Sequence, residues 1–221
     1  MRVYAASRDE PGGGLARRDD GGFHMERIKA IETVYNGYRF RSRLEARWAI
    51  FMDRAGIPYF YEPEGFILPD GTRYLPDFYL PDSKTFVECK GIMTPTDEHK
   101  INMFIEESRR DFLLVHNDLT FQACDNWDGN YYTLAKPSQS VLCQCLNCGK
   151  KYFMGWTASW MCKCCGVHEG DGHFVPLLDG DGDHFCYSAN GQCATPGYDN
   201  AEIVGALFAA KQARFEHGEK P

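Results

Sequence analysis

The chain has 221 residues, ten cysteines, 43% hydrophobic residues and a formal net charge of −7, a length suited to one or two domains with a real core. No apolar run approaches the roughly 20 residues of a membrane span and no secretory leader opens the sequence, so a soluble, cytoplasmic protein without a membrane partner is expected. The acidic balance excludes a generally basic, nucleic-acid-coating protein and leaves room for local basic patches.

Residues 1–24 are rich in Gly, Arg and Asp without apolar periodicity and read as a disordered extension, with Met25 as a candidate native start. The first predicted helix covers 42–55. Leu44, Trp48, Phe51 and Met52 form one stripe, Ser42 and Glu45 fit a capping box, and Gly56-Ile57-Pro58 ends it. Strands are expected over 59–68, 73–80 and 85–90, the last two joined at Pro81-Asp82-Ser83 into a hairpin. Residues 91–97 read as a loop and 98–110 as a second helix with Ile101, Phe104 and Ile105 on one face. Residues 111–116 read as a buried strand. This order predicts an α/β (α+β) mixed sheet flanked by helices over 25–135. Residues 121–140 are less regular. The remainder, 136–221, reads as a second unit: a cysteine-rich segment, a Gly- and Asp-rich loop over 166–198, and a closing helix over 199–215 with Ile203, Leu207 and Ala210 as its stripe.

Within RYLPDFYLPDSKTFVECKG, Asp77, Glu88 and Lys90 stand among strand-forming residues. Alternation puts Phe86, Glu88 and Lys90 on one face and Val87 and Cys89 on the other. The hairpin can bring Asp77 to Glu88, and two carboxylates that repel each other are a natural seat for a divalent cation. A solvated edge strand with alternating Glu and Lys is the competing reading of the same letters.

Pro76-Asp77, ten residues, then Glu88-Cys89-Lys90, in the order helix, three strands, helix, strand, resembles the PD-(D/E)XK nuclease superfamily over about residues 36–116. RFRSRLEARWA and RYLPDFYLP look like small nucleases of bacteriophages and mobile elements. The resemblance implies a restriction-endonuclease-like αβββαβ core and a DNA endonuclease dependent on Mg²⁺ (or Mn²⁺), with no small-molecule cofactor, acting in the cytoplasm of a bacterial host. It implies Asp77, Glu88 and the backbone carbonyl of Cys89 as metal ligands, with Lys90 assisting the attacking water. It also implies that Glu45 reaches the metal, a role that competes with its capping box. Glu62 and Glu64 are further acids on the first predicted strand. Arg39, Arg41, Arg43 and Arg47 precede or enter the first helix, where they can contact phosphates or serve as ordinary surface charge. Enzymes of this class often dimerise, but no stretch here marks a homodimer interface. The alternatives are an RNA substrate, or a catalytically silent nuclease-fold module that binds nucleic acid or protein.

Cys145-x2-Cys148, thirteen residues, then Cys162-x2-Cys165 is zinc-ribbon spacing, with a glycine after each pair. Structural Zn²⁺ is expected there, with Cys143 and Cys164 close enough to compete. Tyr152, Phe153, Trp156 and Trp160 offer a mini-core, and Lys150 and Lys151, with Lys136 and Lys163, offer a DNA-facing surface. Asp179 to Asp183 starts like a calcium loop, but His184 and Asn190 stand where Gly and Glu are needed, so a flexible acidic loop is expected. His173, His184, Cys186 and Cys193 could form a second metal site, though their spacing matches no metal-binding pattern.

Overall fold

The computed structural model describes residues 31–124, 134–155, 161–167, 174–181 and 201–215. The expected N-terminal extension, Trp156 and Trp160, and the set His173, His184, Cys186 and Cys193 lie outside the described residues, as does most of the acidic loop.

The described residues form a mixed α/β structure with several sheets and three α-helices. The chain opens with a hairpin, β1 (Thr33–Tyr35) and β2 (Tyr38–Phe40). Asn36 and Gly37 both take positive φ, 48° and 83°, the backbone of a tight Asn-Gly hairpin turn. Helix α1 (Arg43–Arg54) follows, with Ser42 as N-cap accepting the Glu45 amide. The expected first strand is broken. β3 (Phe60–Tyr61) and β4 (Phe66–Ile67) are separated by Glu62 at φ 46° and by Pro63, which donates no ladder bond. The second is broken too, into β5 (Arg73–Tyr74) and β6 (Phe78–Leu80), at Leu75-Pro76. β7 (Thr85–Cys89) pairs antiparallel with β6, and on its other side the Lys90 amide donates to the Val115 carbonyl.

Helix α2 (Pro95–Ser108) begins three residues ahead of the expected start, inside the expected loop. Thr94 and Asp97 form a reciprocal capping box with Pro95 in the first turn, which carries the helix back to this point. β8 (Phe112–Val115) returns parallel to β7, and β9 (Phe121–Cys124) pairs with it from the less regular stretch. The central sheet therefore has the order β3-β6-β7-β8-β9. Its two faces follow strand alternation. Val87, Leu113 and Val115 pack with Trp48 and Phe51 of α1. Phe86, Phe112 and Leu114 pack with Ile101, Phe104 and Ile105 of α2. The sheet is sandwiched between the two helices.

Three further strands, β10 (Ser140–Cys145), β11 (Lys151–Gly155) and β12 (Phe174–Asp179), make a sheet in the order β11-β10-β12. β12 falls inside the predicted Gly/Asp-rich loop, where only pairing with β10 reveals it. One face, with Leu142, Phe153, Leu177 and Leu178, joins the main core. So do Ile203, Ala206 and Leu207 of α3 (Ala201–Gln212), packed on α1. The core is thus continuous across residue 136. Among the described residues, no helix is long and apolar enough to cross a membrane.

Gly180 locks the second sheet to the first. Its N–H donates to the Ser140 carbonyl, and its own carbonyl accepts from the Phe121 amide. A Cβ there would collide with the carbonyl oxygens of Pro137 and Phe121, both backbone atoms with little freedom. Gly180→Ala is therefore expected to destabilise the protein by about 2–3 kcal/mol, measured as a lowered midpoint in urea against wild type. An unchanged midpoint would show that this junction relaxes freely.

Candidate active site and metal centre

The β6–β7 hairpin, the start of α1 and the start of α2 converge on a cleft of about 350 Å³. Arg41, Glu45, Arg73, Tyr74, Asp77, Glu88, Cys89, Lys90 and Lys100 all line it. The four side chains expected to be catalytic, Glu45, Asp77, Glu88 and Lys90, are therefore brought together.

Asp77 stands between β5 and β6 and is 3% exposed. Its Oδ2 accepts the Cys89 amide at 2.7 Å, and its Oδ1 accepts from Arg41 Nη2 at 2.5 Å. Glu88, 4% exposed, sits on β7. It accepts the Tyr74 hydroxyl at 2.9 Å on Oε2 and faces Lys90 Nζ at 2.8 Å on Oε1. Lys90 also reaches Asp97 Oδ1 at 3.3 Å, so the acid that caps α2 also holds the lysine. Glu45 accepts from Ser42 Oγ at 2.7 Å on Oε1. On Oε2 it accepts from the Tyr61 hydroxyl at 2.7 Å and the Arg41 amide at 3.0 Å. Ser42 caps α1 through the Glu45 amide, but the Glu45 carboxylate turns to Ser42 Oγ, Tyr61 and the Arg41 amide rather than to the Ser42 amide, so the expected reciprocal box is only half formed.

Electrostatics single out Asp77. Burial, then the neighbouring charges of Glu88 and Glu45, push its carboxyl up to about 8, and the Cys89 amide and Arg41 offset only part of this. Burial alone would lower Lys90, but Glu88 and Asp97 outweigh it and hold the ammonium above the ordinary lysine range. Burial first, and then the adjacent glutamates, raise Tyr61 and Tyr74, so both remain protonated donors. These hydroxyls and Asp97 are the cleft residues that sequence reasoning missed. Thr94-Pro95-x-Asp97 carried a capping signal for the acid, whereas the tyrosines looked like ordinary strand aromatics.

Other expected contacts lie elsewhere. Arg39 pairs with Glu32 on an exposed hairpin, and Arg43 opens α1. Arg47 donates to the Ala213 carbonyl beyond α3. Glu62 pairs with Arg41 at 2.7 Å at the edge of the cleft, and Glu64 lies 3.9 Å from Arg110.

The second centre is built by two backbone knuckles. Gly149 and Gly166 take positive φ, 72° and 73°, and their amides donate to the Cys145 and Cys162 carbonyls. This turns each Cys pair inward. The sulfurs of Cys145, Cys148, Cys162 and Cys165 lie within 4.8 Å of one another, with Cys145–Cys165 at 3.6 Å and Cys148–Cys162 at 3.5 Å. A tetrahedral Zn–S distance of ~2.3 Å sets sulfurs about 3.8 Å apart, so the donor set could hold a metal ion such as zinc. Cys143 and Cys164 stand outside this group: Cys143 is buried against Tyr152 and Met154, and Cys164 is exposed.

The knuckle lysines turn toward the protein. Lys150 pairs with Asp82 in the β6–β7 turn, Lys163 meets Asp111 just ahead of β8, and Lys151 pairs with Glu202 of α3. Asp82 and Asp111 stand where β7 and β8 begin, roughly 17 Å along the strand from Lys90 at about 3.3 Å per residue. The cysteine centre thus lies at the opposite end of the sheet from the carboxylates, and Lys150 and Lys151 do not extend the acidic cleft.

No known protein-family profile matches the chain, and no curated protein matches it.

Proposed function

We propose that the protein is a divalent-metal-dependent endonuclease with a restriction-endonuclease-like αβββαβ core, hydrolysing DNA phosphodiester bonds at the Asp77–Glu88–Lys90 cleft. The observation that carries this reading is the convergence in one open cleft of two nearly fully buried carboxylates, Asp77 just ahead of β6 and Glu88 on β7, with Lys90 just past β7. Burial first, and then the acidic neighbours Glu88 and Glu45, push Asp77 up, and a hard dication relieves the repulsion through oxygen ligands. The donor set fits Mg²⁺ or Mn²⁺, with Asp77 and Glu88 as carboxylate ligands and Cys89 offering its carbonyl. Bound there, the ion would supply Lewis-acid polarisation of the phosphate and a more acidic water.

The chain's own residues do the rest. Lys90 is held charged by Glu88 and Asp97, so it orients the attacking water and stabilises phosphate charge rather than taking a proton. Tyr74 fixes the Glu88 carboxylate, and the Cys89 amide fixes Asp77. Glu45, anchored by Ser42 and Tyr61, adds negative field without needing to move. Arg73 and Lys100 line the same cleft and suit an incoming phosphate backbone. Zinc at the four cysteines serves as a structural staple in this reading, consistent with a reducing cytoplasm.

The test is incubation of supercoiled plasmid with zinc-loaded protein in Mg²⁺, in Mn²⁺ and in chelator, beside matched ribose and deoxyribose oligonucleotides. Metal-dependent nicking or linearisation supports the reading, and preference for the ribose strand moves the substrate to RNA. Absence of cleavage on plasmid, single-stranded, branched and RNA substrates would leave a silent nucleic-acid-binding module as the better account.

A pH dependence follows from Asp77. Its proton must leave before a cation binds, and the fold retains that proton up to about 8. At subsaturating Mg²⁺, cleavage is expected to rise about tenfold per pH unit below 8 and to level off above it. A rate already flat from pH 6 to 8 would remove Asp77 deprotonation from the metal-binding step.

A further inference from the structure

Arg41 occupies the middle of the acidic cluster, and its backbone and side chain are held differently. The backbone is pinned, because its N–H meets Glu45 Oε2 at 3.0 Å and the Tyr61 hydroxyl at 3.1 Å. The side chain is 52% exposed and is held only through its two acid contacts. Nη2 donates to Asp77 Oδ1 at 2.5 Å, while Nε lies 2.7 Å from Glu62 Oε1. That second approach lacks hydrogen-bond geometry, since Glu62 Oε1 is buried without a hydrogen-bond partner. Glu62 therefore holds Arg41 by charge alone, a loose tether compatible with rotation. Glu62 itself sits at φ 46°, an uncommon backbone for a glutamate, fixed by its amide bond to the Asp77 carbonyl.

Asp77 Oδ2 accepts the Cys89 amide and Oδ1 accepts Arg41, so neither carboxylate oxygen is uncontested. A dication on Oδ1 would share that oxygen with a guanidinium, two cations at contact range over a nearly fully buried carboxylate. We infer that Arg41 is the site's built-in counter-cation: it competes with the divalent metal for Asp77 Oδ1 and, once displaced, turns on its Glu62 tether to a substrate phosphate. The inference rests on the nuclease reading and adds an order of events to it. Metal and phosphate both favour the displaced Arg41, so each tightens the binding of the other. A half-exposed arginine suits this exchange, because its planar fork pairs with a phosphate as readily as with a carboxylate.

The test follows Mn²⁺ binding to zinc-loaded protein by the electron paramagnetic resonance signal of free Mn²⁺, with and without a duplex oligonucleotide carrying non-cleavable phosphorothioate linkages. Asp77→Asn identifies the relevant site as the one it abolishes. Arg41→Gln, shown to be folded by circular dichroism, is expected to bind Mn²⁺ at that site about tenfold more tightly than wild type, within the usual range of a single coupling. The duplex should tighten Mn²⁺ binding in wild type and lose that effect in Arg41→Gln. If Arg41→Gln binds Mn²⁺ no more tightly than wild type at an Asp77-dependent site, the Arg41 inference falls while the nuclease reading stands. If no Asp77-dependent Mn²⁺ site is found, both fall together.

Discussion

Asp77→Asn is expected to lower metal-dependent cleavage at least about 1,000-fold while leaving the melting temperature of the metal-free protein unchanged or higher. The first half follows from the cleft. Asp77 supplies one of the cleft's three buried carboxylates, and an amide oxygen there is a far weaker ligand for a hard dication. A thousandfold loss corresponds to about 4 kcal/mol of transition-state stabilisation, a size usual for one preorganised electrostatic group. The second half follows from the direction of the Asp77 shift. Its carboxyl is raised in the fold by burial, Glu88 and Glu45, so the fold favours the protonated form. Ionising it costs stability, progressively as pH rises from the unfolded value near 3.9 toward 8. An asparagine side chain in its place would keep an acceptor for the Cys89 amide and remove the buried charge. Loss of the Arg41 pair costs less, because Arg41 is half exposed and keeps Glu62. Plasmid cleavage and a thermal melt at pH 7 on the same preparation check both halves. A variant that loses activity together with many degrees of melting temperature would mark Asp77 as a structural acid.

The pairing of lost activity with kept stability separates a functional carboxylate from a structural one, and the distinction runs through the whole cleft. Glu45 has its oxygens on Ser42, Tyr61 and the Arg41 amide, so it contributes to the fold as well as to the field. For Asp77 the fold instead favours the neutral form, so its ionised state serves the cleft rather than the fold.

Short-range patterns carried part of this into the sequence. The α1 stripe and its Ser42 N-cap follow from helical spacing, and the Asp77, Glu88 and Lys90 convergence from strand alternation across a short hairpin. The cysteine knuckles follow from x2 spacing with a glycine after each pair. Asn36-Gly37 is an equally local hairpin signal, and the Thr94–Asp97 box that starts α2 is another; neither entered the expected elements. What the sequence hid depends on distant partners. β12 is a strand because β10 lies beside it, in a segment whose Gly and Asp content argues for loop. Arg41 reads as a phosphate contact or as surface charge, and only a contact across 36 positions places it on Asp77. Lys150 and Lys151 read as nucleic-acid contacts until Asp82 and Glu202 are seen opposite them.

Removing the metal from the cysteine centre is expected to lower the melting temperature of the whole protein by about 10–20 °C, not merely to loosen a peripheral module. The β10–β11–β12 sheet has two faces. One carries Val141, Cys143, Cys145, Tyr152, Met154 and Cys162, a small cluster in which metal ligands are a third of the buried residues. Without an ion, thiols must fill that cluster against one another, with the Tyr152 hydroxyl 3.1 Å from Cys162 Sγ. The other face carries Leu142, Phe153, Leu177 and Leu178 into the core shared with α1 and the central sheet. Gly180 and Ser140 tie the two sheets together through backbone bonds. Structural zinc sites contribute roughly 10–16 kcal/mol in small peptides, as much as an entire domain's net stability. If about 5 kcal/mol of that is felt here, at ~2–4 °C per kcal/mol for a domain of this size, the shift falls in the stated range. Cys162→Ser should reproduce it without chelator, because three thiolates hold the ion less well than four. Melting curves read together with zinc content decide the matter. A zinc-free protein melting at the holoprotein's temperature would show that the cysteine centre is independent of the core, and the continuous packing between them would then carry little of the fold's stability.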